Sequence, residues 1–269
     1  KMWKKIGCRS RDVVLSFHHK SLITRELKLQ ADNELQLQHI IQDEFQKYQT
    51  DLKEEYDFDY SVQSHDSESG IYFTKTAGIS KRINRGYIEK AISLGLKPRA
   101  VDIQLNAFIR VIRKILLRCK ELSEELPYLV LDLGYENTTA ALINIDEIIA
   151  LKGIPIGCRI IEESPANSNE YLQEIIILCW QMIDHYIHSS HKEELQQGIL
   201  YGGGAFAASV LSHLKDQIPL RWNQLNHFRL YLSEIPTDMD LNLYANCLGS
   251  LYWEGDKLNT ERKIRNDRF

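Results

Sequence analysis

Hydrophobic and polar positions alternate along this chain in blocks that predict strands and helices in mixed order. The clearest block runs from Tyr128 to Ile145, where an apolar run enters Asp132-Leu-Gly134, a polar turn follows, and a second apolar run begins. This pattern predicts a strand, a tight turn and a returning strand, that is, a β-hairpin. Glycine at the turn permits a close backbone approach or a φ that other residues avoid. The predicted hairpin therefore places an acid, a glycine and two threonines at one tip.

The N-terminal half of the chain follows the pattern of an α/β protein. Strands are predicted over 12–17, 21–29, 54–60, 71–77 and 96–103, and helices over 32–50, 85–95 and 104–122. Imperfect alternation in the second strand favours a bulge near Arg25. Asp32 or Asn33 is placed to cap the first helix. Acids alternate with aromatics over 54–60, which indicates an edge strand with one solvated face, with an acidic cation site as the alternative.

The C-terminal half continues the alternation of strands and helices. Beyond the hairpin, strands are predicted over 148–157, 197–201 and 229–232, and helices over 169–188, over 202–214 and after a cap at Pro236–Asp238. The acidic segment Ser123–Pro127 is the best domain boundary. We therefore predict a first α/β lobe over residues 1–127, a second over 128–253 and a polar tail over 254–269.

Composition excludes several classes of protein. The net charge of −4 makes nucleic acid an unfavoured partner. Five scattered cysteines without a C-x-x-C spacing argue against a zinc site and indicate reduced thiols. No apolar run approaches the roughly 18 residues that cross a bilayer, and no signal peptide is visible. The chain is expected to be soluble, intracellular and without a metal.

Two surface features have alternative interpretations. The pair His18-His19 is either a solvated turn, which the sequence favours, or part of a metal site. The predicted helix over 104–122 carries basic residues on one face, which indicate either a solvated face or a surface for a partner or anionic lipid. These residues are Arg110, Arg113, Lys114, Arg118 and Lys120.

Two glycine segments carry the candidate chemistry. Gly202, Gly203 and Gly204 stand at a predicted strand-to-helix junction, where backbone N–H groups and the positive helix end favour an anion. The spacing matches neither a P-loop nor the dinucleotide fingerprint. Asp132-Leu-Gly134 and Thr138 form a second candidate phosphate site, with an ordinary turn as the alternative. No catalytic residue can be singled out.

The order of these segments resembles the second half of the actin/hexokinase/Hsp70 superfamily. There the Asp132-x-Gly134 hairpin matches the second phosphate hairpin and Gly202–Gly204 match the adenosine loop. Six segments carry a closer resemblance: VVLSF with SLITREL (13–27), SLGLKPRAVDIQLNAFIRVI (93–112), VLDLGYENTTAALI (130–143), IPIG (154–157), LYGGGA (200–205) and LYANCLGSLYW (243–253). Through them nearly the whole chain resembles the PilM family of pilus-assembly proteins, which implies a two-lobed actin-like α/β fold with a cleft between the lobes.

The chain departs from the family pattern at its beginning. Active members open with an Asp-x-Gly hairpin rich in serine, whereas Ile6-Gly7-Cys8 has no acid before its glycine. The fold is thus expected to be truncated at the first phosphate hairpin. Because one hairpin cannot hold a triphosphate and its Mg²⁺, we interpret Asp132, Gly134, Thr138 and Gly202–Gly204 as a vestigial nucleotide cleft. No cofactor is expected.

The shortened form resembles the cytoplasmic regions of membrane-anchored relatives, the GspL components of type II secretion and, most of all, the BfpC components of bundle-forming pili. That resemblance implies a non-enzymatic scaffold at the cytoplasmic face of the bacterial inner membrane. Its implied partners are the secretion-type hexameric motor ATPase and the polytopic platform protein. The basic residues from Arg262 to Arg268 would suit the cytoplasmic side of a following span. The alternative is an actin-like protein that binds ATP at the two glycine segments.

Overall fold

The computed structural model describes residues 10–17, 22–52, 55–119, 122, 127–144, 148–163, 168–189 and 195–253. The chain divides into two compact units, Lys1–Ile103 and Gln104–Phe269. Each unit combines β-sheet with helices and has a hydrophobic core cluster of its own.

The first unit contains two small sheets. Strands β1 and β5 pair in parallel, and β2, β4 and β3 form an antiparallel sheet in that order. The predicted edge strand of acids and aromatics is confirmed as β3, at the outside of its sheet. The elements are β1 (Asp12–Phe17), β2 (Ile23–Gln30), α1 (Glu34–Leu52), β3 (Tyr56–Asp66), β4 (Ile71–Ser80), α2 (Lys81–Ser93) and β5 (Lys97–Ile103).

Helix α1 begins as its sequence predicts and covers one face of the antiparallel sheet. The Asn33 side chain accepts a hydrogen bond from the Gln36 backbone N–H at 3.0 Å, which caps the first turn. Leu37, Ile41 and Phe45 recur at helical spacing and are fully or almost fully buried. Through these residues α1 covers the small hydrophobic core of this unit.

The bulge predicted near Arg25 is wrong. Strand β2 pairs with β4 residue by residue, from Ile23 with Gly78 to Gln30 with Ile71. The alternation in β2 is imperfect because Thr24, Arg25 and Glu26 are all exposed at this edge of the sheet. The register shift lies in β3 instead, between Val62 and Ser64.

The second unit is built on one five-stranded sheet with the order β10-β9-β6-β7-β8. The predicted hairpin is confirmed as β6 and β7, which pair antiparallel, while β6 pairs in parallel with β9. The elements are α3 (Gln104–Leu116), β6 (Tyr128–Leu133), β7 (Thr138–Ile143), β8 (Ile148–Ile154), α4 (Arg159–Glu163), α5 (Ser168–Ser189), β9 (Gln197–Tyr201), α6 (Ala208–Gln217), β10 (Arg221–Gln224) and α7 (Leu241–Leu251).

The unit boundary lies before α3, whereas the sequence analysis placed it after Pro127. Helix α3 belongs to the second unit because it packs closely along α7. A Cβ atom at Gly249 would overlap the backbone carbonyl of Ala107, so only glycine fits at this crossing. The Arg110 Nε also donates to the Gly249 carbonyl at 2.8 Å.

Most of the basic face of α3 is used within the second unit. The Lys114 Nζ lies 4.2 Å from the centroid of the Tyr252 ring, and the Arg118 Nη1 lies 2.9 Å from a Glu234 carboxylate oxygen. The Tyr252 hydroxyl donates to the same carboxylate at 3.1 Å. These interactions fasten α3 to the residues that flank α7, while the side chains of Lys114 and Arg118 stay 39% and 46% exposed. The face is therefore partly solvated, Lys120 lies outside the described residues, and a surface for a partner or anionic lipid stays a prediction.

The strand predicted over 229–232 is wrong, since residues Leu225–Tyr231 form a 3-10 helix. Arg229 stabilises this shape, because its guanidinium donates to the carbonyls of Met239 at 3.0 Å and Pro236 at 2.6 Å. Leu230 is 86% exposed, which a buried strand would not allow. The last strand is β10, and α7 is capped by Asp240 instead of Asp238.

Several predictions lie outside the described residues. These are the His18-His19 turn, the departure at Ile6-Gly7-Cys8 and the tail over 254–269. Among the described residues, no helix is long and apolar enough to cross a bilayer. The cleft between the two lobes stays a prediction.

Candidate functional site

The two glycine segments meet at one edge of the sheet in the second unit. Strands β6 and β9 run in parallel with Asp132 opposite Tyr201, so the turns that follow them emerge side by side. A Cβ atom at Gly202 would lie 2.6 Å from the Leu133 carbonyl oxygen and 2.8 Å from the Asp132 Oδ1. Ligands of α/β proteins commonly bind at this carboxyl edge of parallel strands. The structure therefore brings the two segments together at this edge.

The Asp132 carboxyl is enclosed by groups of its own unit. The Gln104 Nε2 donates to its Oδ2 at 2.5 Å, and the Tyr201 hydroxyl forms a further hydrogen bond with the carboxyl. Burial raises the Asp132 pKa to about 6, and the Tyr201 hydrogen bond opposes that shift only partly. Among the described residues the hydrogen-bond partners of this carboxyl are therefore neutral, and they already occupy part of its acceptor capacity.

Thr138 is directed into the core. The residue is 0% exposed, and its Oγ1 lies 3.1 Å from the hydroxyl oxygen of Tyr171 on α5. Burial raises the Tyr171 pKa to about 12, so its hydroxyl stays protonated and available for this hydrogen bond. The role that the ATP-binding alternative gave to Thr138, contact with a phosphate, does not fit this geometry.

The Thr138–Tyr171 bond can be measured by a double-mutant cycle. Thr138→Val and Tyr171→Phe should each destabilise the protein by about 1–2 kcal/mol, because each leaves a buried hydroxyl without its partner. The double substitution should cost less than the sum, since it removes both hydroxyls together. Unfolding in urea, followed by circular dichroism, gives the three free energies. Strictly additive losses would show that the two hydroxyls do not interact.

The turn of the hairpin is closely packed against the segment that contains a further glycine, Gly157. A Cβ atom at Gly134 would lie 2.8 Å from the Asn137 carbonyl oxygen, and one at Gly157 would overlap the backbone of Tyr135. The Cys158 backbone N–H donates to the Gly134 carbonyl at 2.9 Å. Gly134 therefore serves a tight turn and a close approach of two backbone segments, which was the ordinary alternative in the sequence analysis.

The Gly202–Gly204 segment does not open an α-helix directly. Gly202 has a φ of 90°, and a short 3-10 helix over Gly203–Phe206 precedes α6. Gly204 is buried, and a Cβ atom there would lie 2.8 Å from the Leu133 Cβ. Only Gly203 is exposed with open space, since a Cβ atom would meet just the Cys158 Sγ at 3.9 Å. The glycines thus serve mainly the packing of β6 against β9.

The sequence analysis did not identify the residues that hydrogen-bond to the polar side chains of this site or pack against its glycines. Gln104 and Tyr201 hold the Asp132 carboxyl, Tyr171 holds Thr138, and Cys158 lies against Gly203 and Gly204. Tyr201 has a local signal, because it is the last residue of the predicted strand 197–201 and directly precedes the glycines. The other three depend on tertiary contacts that no local pattern indicates.

Comparisons with known proteins agree with this architecture. No protein-family model matches the chain, and no curated protein matches its sequence. Among solved structures, the PilM-PilN type IV pilus biogenesis complex aligns over 93% of this chain and 81% of its own, with a TM-score of 0.71 and 16% identity. The chain has the actin-like fold of PilM. At this identity the likeness to PilM establishes the fold alone.

Two further solved structures align with TM-scores below 0.5. MreB 5 of Spiroplasma citri bound to AMPPNP aligns over 69% of this chain and 68% of its own, with a TM-score of 0.44 and 13% identity. The ethanolamine utilization protein EutJ from Carboxydothermus hydrogenoformans covers 61% of this chain and 57% of its own, with a TM-score of 0.42 and 14% identity.

No metal centre is formed within the described part of the chain, where no group of three or more His, Cys, Asp or Glu residues is arranged to hold an ion. The acids of β3, which the sequence analysis weighed as a cation site, converge on no such group among the described residues. Asp57 instead accepts a hydrogen bond from the Asn84 Nδ2 at 2.7 Å.

Proposed function

We propose that this protein is a non-enzymatic scaffold of a type IV pilus or type II secretion assembly platform. The proposal rests on the PilM-like fold, which covers 93% of the chain and whose solved counterpart is the PilM-PilN type IV pilus biogenesis complex. The proposed place of action is the cytoplasmic face of the bacterial inner membrane. The BfpC components of bundle-forming pili and the GspL components of type II secretion are the proposed functional counterparts.

The main support for a non-enzymatic role is that two polar side chains of the hairpin are already hydrogen-bonded within their own unit. The Thr138 hydroxyl is buried on Tyr171, and the Asp132 carboxyl is held by Gln104 and Tyr201. Phosphoryl transfer needs oriented oxygens on a metal ion and donors on the phosphate. Because these two side chains form hydrogen bonds inside the unit, their arrangement suits a structural role better than a role in phosphate hydrolysis.

The proposed partners are the secretion-type hexameric motor ATPase and the polytopic platform protein of the same assembly system. A scaffold of this kind would keep a constant surface, so its binding should be independent of nucleotide. Polar atoms that are already paired inside the unit support this expectation, since no ligand has to complete the site.

Co-purification tests the proposal. The full 269-residue chain, carrying an affinity tag, should retain the cognate motor ATPase or the platform protein from a mixture of purified components. Thr138→Val, which alters the hairpin without touching the surface, should retain them equally, with and without ATP. A folded chain that retains neither partner would contradict the scaffold function.

A second candidate function, ATP binding without hydrolysis, is favoured by Gly203 alone. This residue is exposed beside the edge where β6 and β9 end, with open space in front of it. Calorimetry with ATP and Mg²⁺ distinguishes the two functions. Micromolar binding that Gly203→Asp abolishes and Gly203→Ala preserves would support the ATP-binding protein, whereas absence of heat supports the scaffold.

A further inference from the structure

The outward face of α7 has the opposite composition to that of an ordinary surface helix. None of the residues of α7 is charged. Its solvent-exposed residues are Leu243 at 51%, Tyr244 at 47%, Leu251 at 79% and Cys247. The outer face of a helix in a soluble protein normally carries charged and polar residues. An apolar face of this kind indicates a surface that contacts another molecule.

The polar residues of α7 lie on its inner side, where they serve the fold. Asn242 is buried, and its Oδ1 accepts a hydrogen bond from the Asn226 backbone N–H at 3.1 Å. Ser250 is also buried and donates to the Asn246 carbonyl at 2.9 Å. Covering the outer face would therefore remove apolar surface from water without desolvating a charge of this helix.

Two 3-10 helices contact α7, and each adds an exposed apolar side chain. Phe206 lies on the first and Leu230 on the second, and more than half of each residue is exposed. The second is tied to the beginning of α7 by the Asn226 Oδ1, which accepts from the Leu241 backbone N–H at 3.0 Å. A single helix covers only part of the roughly 800 Å² that each partner buries in a standard interface, and these side chains enlarge the apolar surface.

The exposed residues of α7 are spaced symmetrically about Cys247. Leu243 precedes it and Leu251 follows it by four residues each, so the three form one ridge along the helix. Such ridges interdigitate when two helices cross at about −50°, the commonest packing class. About a two-fold axis, Leu243 of each copy would approach Leu251 of the other, and the small Cys247 side chains would lie near the axis.

The electrostatics of α7 favour a second copy of this chain as the occupant. Identical surfaces meet across a two-fold axis, so a face with charges of one sign would repel its own image. The outer face of α7 has no charge that could do so. An antiparallel pair also sets the positive end of each helix dipole beside the negative end of the other.

The two ends of α7 adjoin groups of opposite net charge, which suits the same antiparallel pair. Acids outnumber bases at its beginning, and bases outnumber acids around its last turn and the residue that follows. The groups at the beginning are Asp238, Asp240 and Arg229, and those at the end are Arg110, Lys114, Arg118 and Glu234.

We infer that α7 forms an antiparallel, two-fold symmetric interface between two copies of this chain, with Cys247 near the axis. Because the apolar surface is small for a specific interface, the dimer should be in equilibrium with monomer at micromolar concentration. The inference goes beyond the scaffold function and does not depend on it, since the residues of the hairpin take no part.

Sedimentation equilibrium of the full chain tests the association. Between about 1 and 100 μM, the mass should rise from 31.3 kDa toward twice that value. Leu251→Asp should weaken the dimer about a hundredfold or more, because each dimer loses two buried leucines and gains two buried charges. Its exposure in the single chain lets this variant fold, which circular dichroism checks. The matched control, Leu35→Asp, changes a leucine that is 73% exposed on α1 and should associate as the unsubstituted chain does.

Cys247 allows the geometry itself to be measured. It is exposed, whereas the other three cysteines of the described residues are buried. Cys8 lies outside those residues and is replaced by serine in every sample. A bis-maleimide that spans the usual distance between packed helices, about 8–10 Å, should then link two chains. Cys247→Ser should abolish the link and keep the association, and Leu251→Asp should abolish both.

Three results would overturn the inference. The first is a monomer at every concentration. The second is a dimer that survives Leu251→Asp, that Leu35→Asp weakens equally or that the bis-maleimide does not link, because it would use another surface. The third is a monomeric chain that sediments with phosphatidylcholine vesicles and loses this binding in Leu251→Asp, which would assign the face to lipid.

Discussion

Gly249→Ala should strongly destabilise the second unit. Among the α-helical glycines of the described residues, this is the substitution by alanine with the largest expected loss of stability. A Cβ atom at this position would overlap the carbonyl of Ala107, and the Ala107 Cα would lie 2.9 Å away. Backbone atoms cannot rotate aside, so α3 and α7 must separate and loosen the bond from Arg110 to the Gly249 carbonyl. We expect a loss of about 3 kcal/mol or more, even after the better helix propensity of alanine is included.

Thermal unfolding of the purified chain measures this loss. A domain of this size loses about 2–4 °C in Tm for each kcal/mol, so the expected fall is about 10 °C. Gly86→Ala is the matched control, because Gly86 is also helical and a Cβ atom there meets no atom within 4 Å. That substitution should stabilise by about 0.5–1 kcal/mol. An unchanged Tm for Gly249→Ala would contradict the close crossing of α3 and α7.

Asp132→Asn should stabilise the protein at neutral pH. The Asp132 pKa is raised from 3.8 to about 6, chiefly by burial, so the folded state holds its proton more tightly than the unfolded state does. The stability linked to this proton is complete below pH 3.8 and is lost as the pH rises through 6. Ionised Asp132 therefore costs up to about 3 kcal/mol above that range, and asparagine avoids the cost while it can still accept from Tyr201.

Urea unfolding at a series of pH values checks this dependence. The advantage of Asp132→Asn over the unsubstituted chain should be roughly 1–3 kcal/mol at pH 7.5 and should shrink toward zero below pH 4. Asp184→Asn, which removes the same charge at an exposed position on α5, is the matched control. An advantage that is the same at every pH would mean that the Asp132 carboxyl is not the titrating group.

The elements of the candidate site were predictable from local pattern, whereas the roles of its side chains were not. The hairpin follows from two apolar runs around Asp-x-Gly, and its pairing with β9 places Gly202 beside it. Nothing near Thr138 in the sequence indicates that its hydroxyl meets Tyr171, which lies on a helix beyond two further elements. A polar residue at a turn can be directed to a ligand or to the core, and only the tertiary structure distinguishes the two.

Elsewhere the local pattern was ambiguous or incomplete. Leu230 and Leu232 alternate as in a strand, but the carbonyls that Arg229 binds come from residues several positions later and hold a 3-10 helix. The observed unit boundary differs from the predicted one for a similar reason. The composition of Ser123–Pro127 suggested a linker, while the close approach of Gly249 to Ala107 assigns α3 to the second unit.

The strand order also determines when each sheet can be completed as the chain leaves the ribosome. Strand β6 forms its antiparallel pair with β7 at once, but its parallel partner β9 begins only at Gln197, after the whole of α5. Until then the apolar edge of β6 has unpaired backbone groups that can join another chain. Such distant pairing slows folding, so nascent or truncated chains that end before Gln197 would be the aggregation-prone species of this protein.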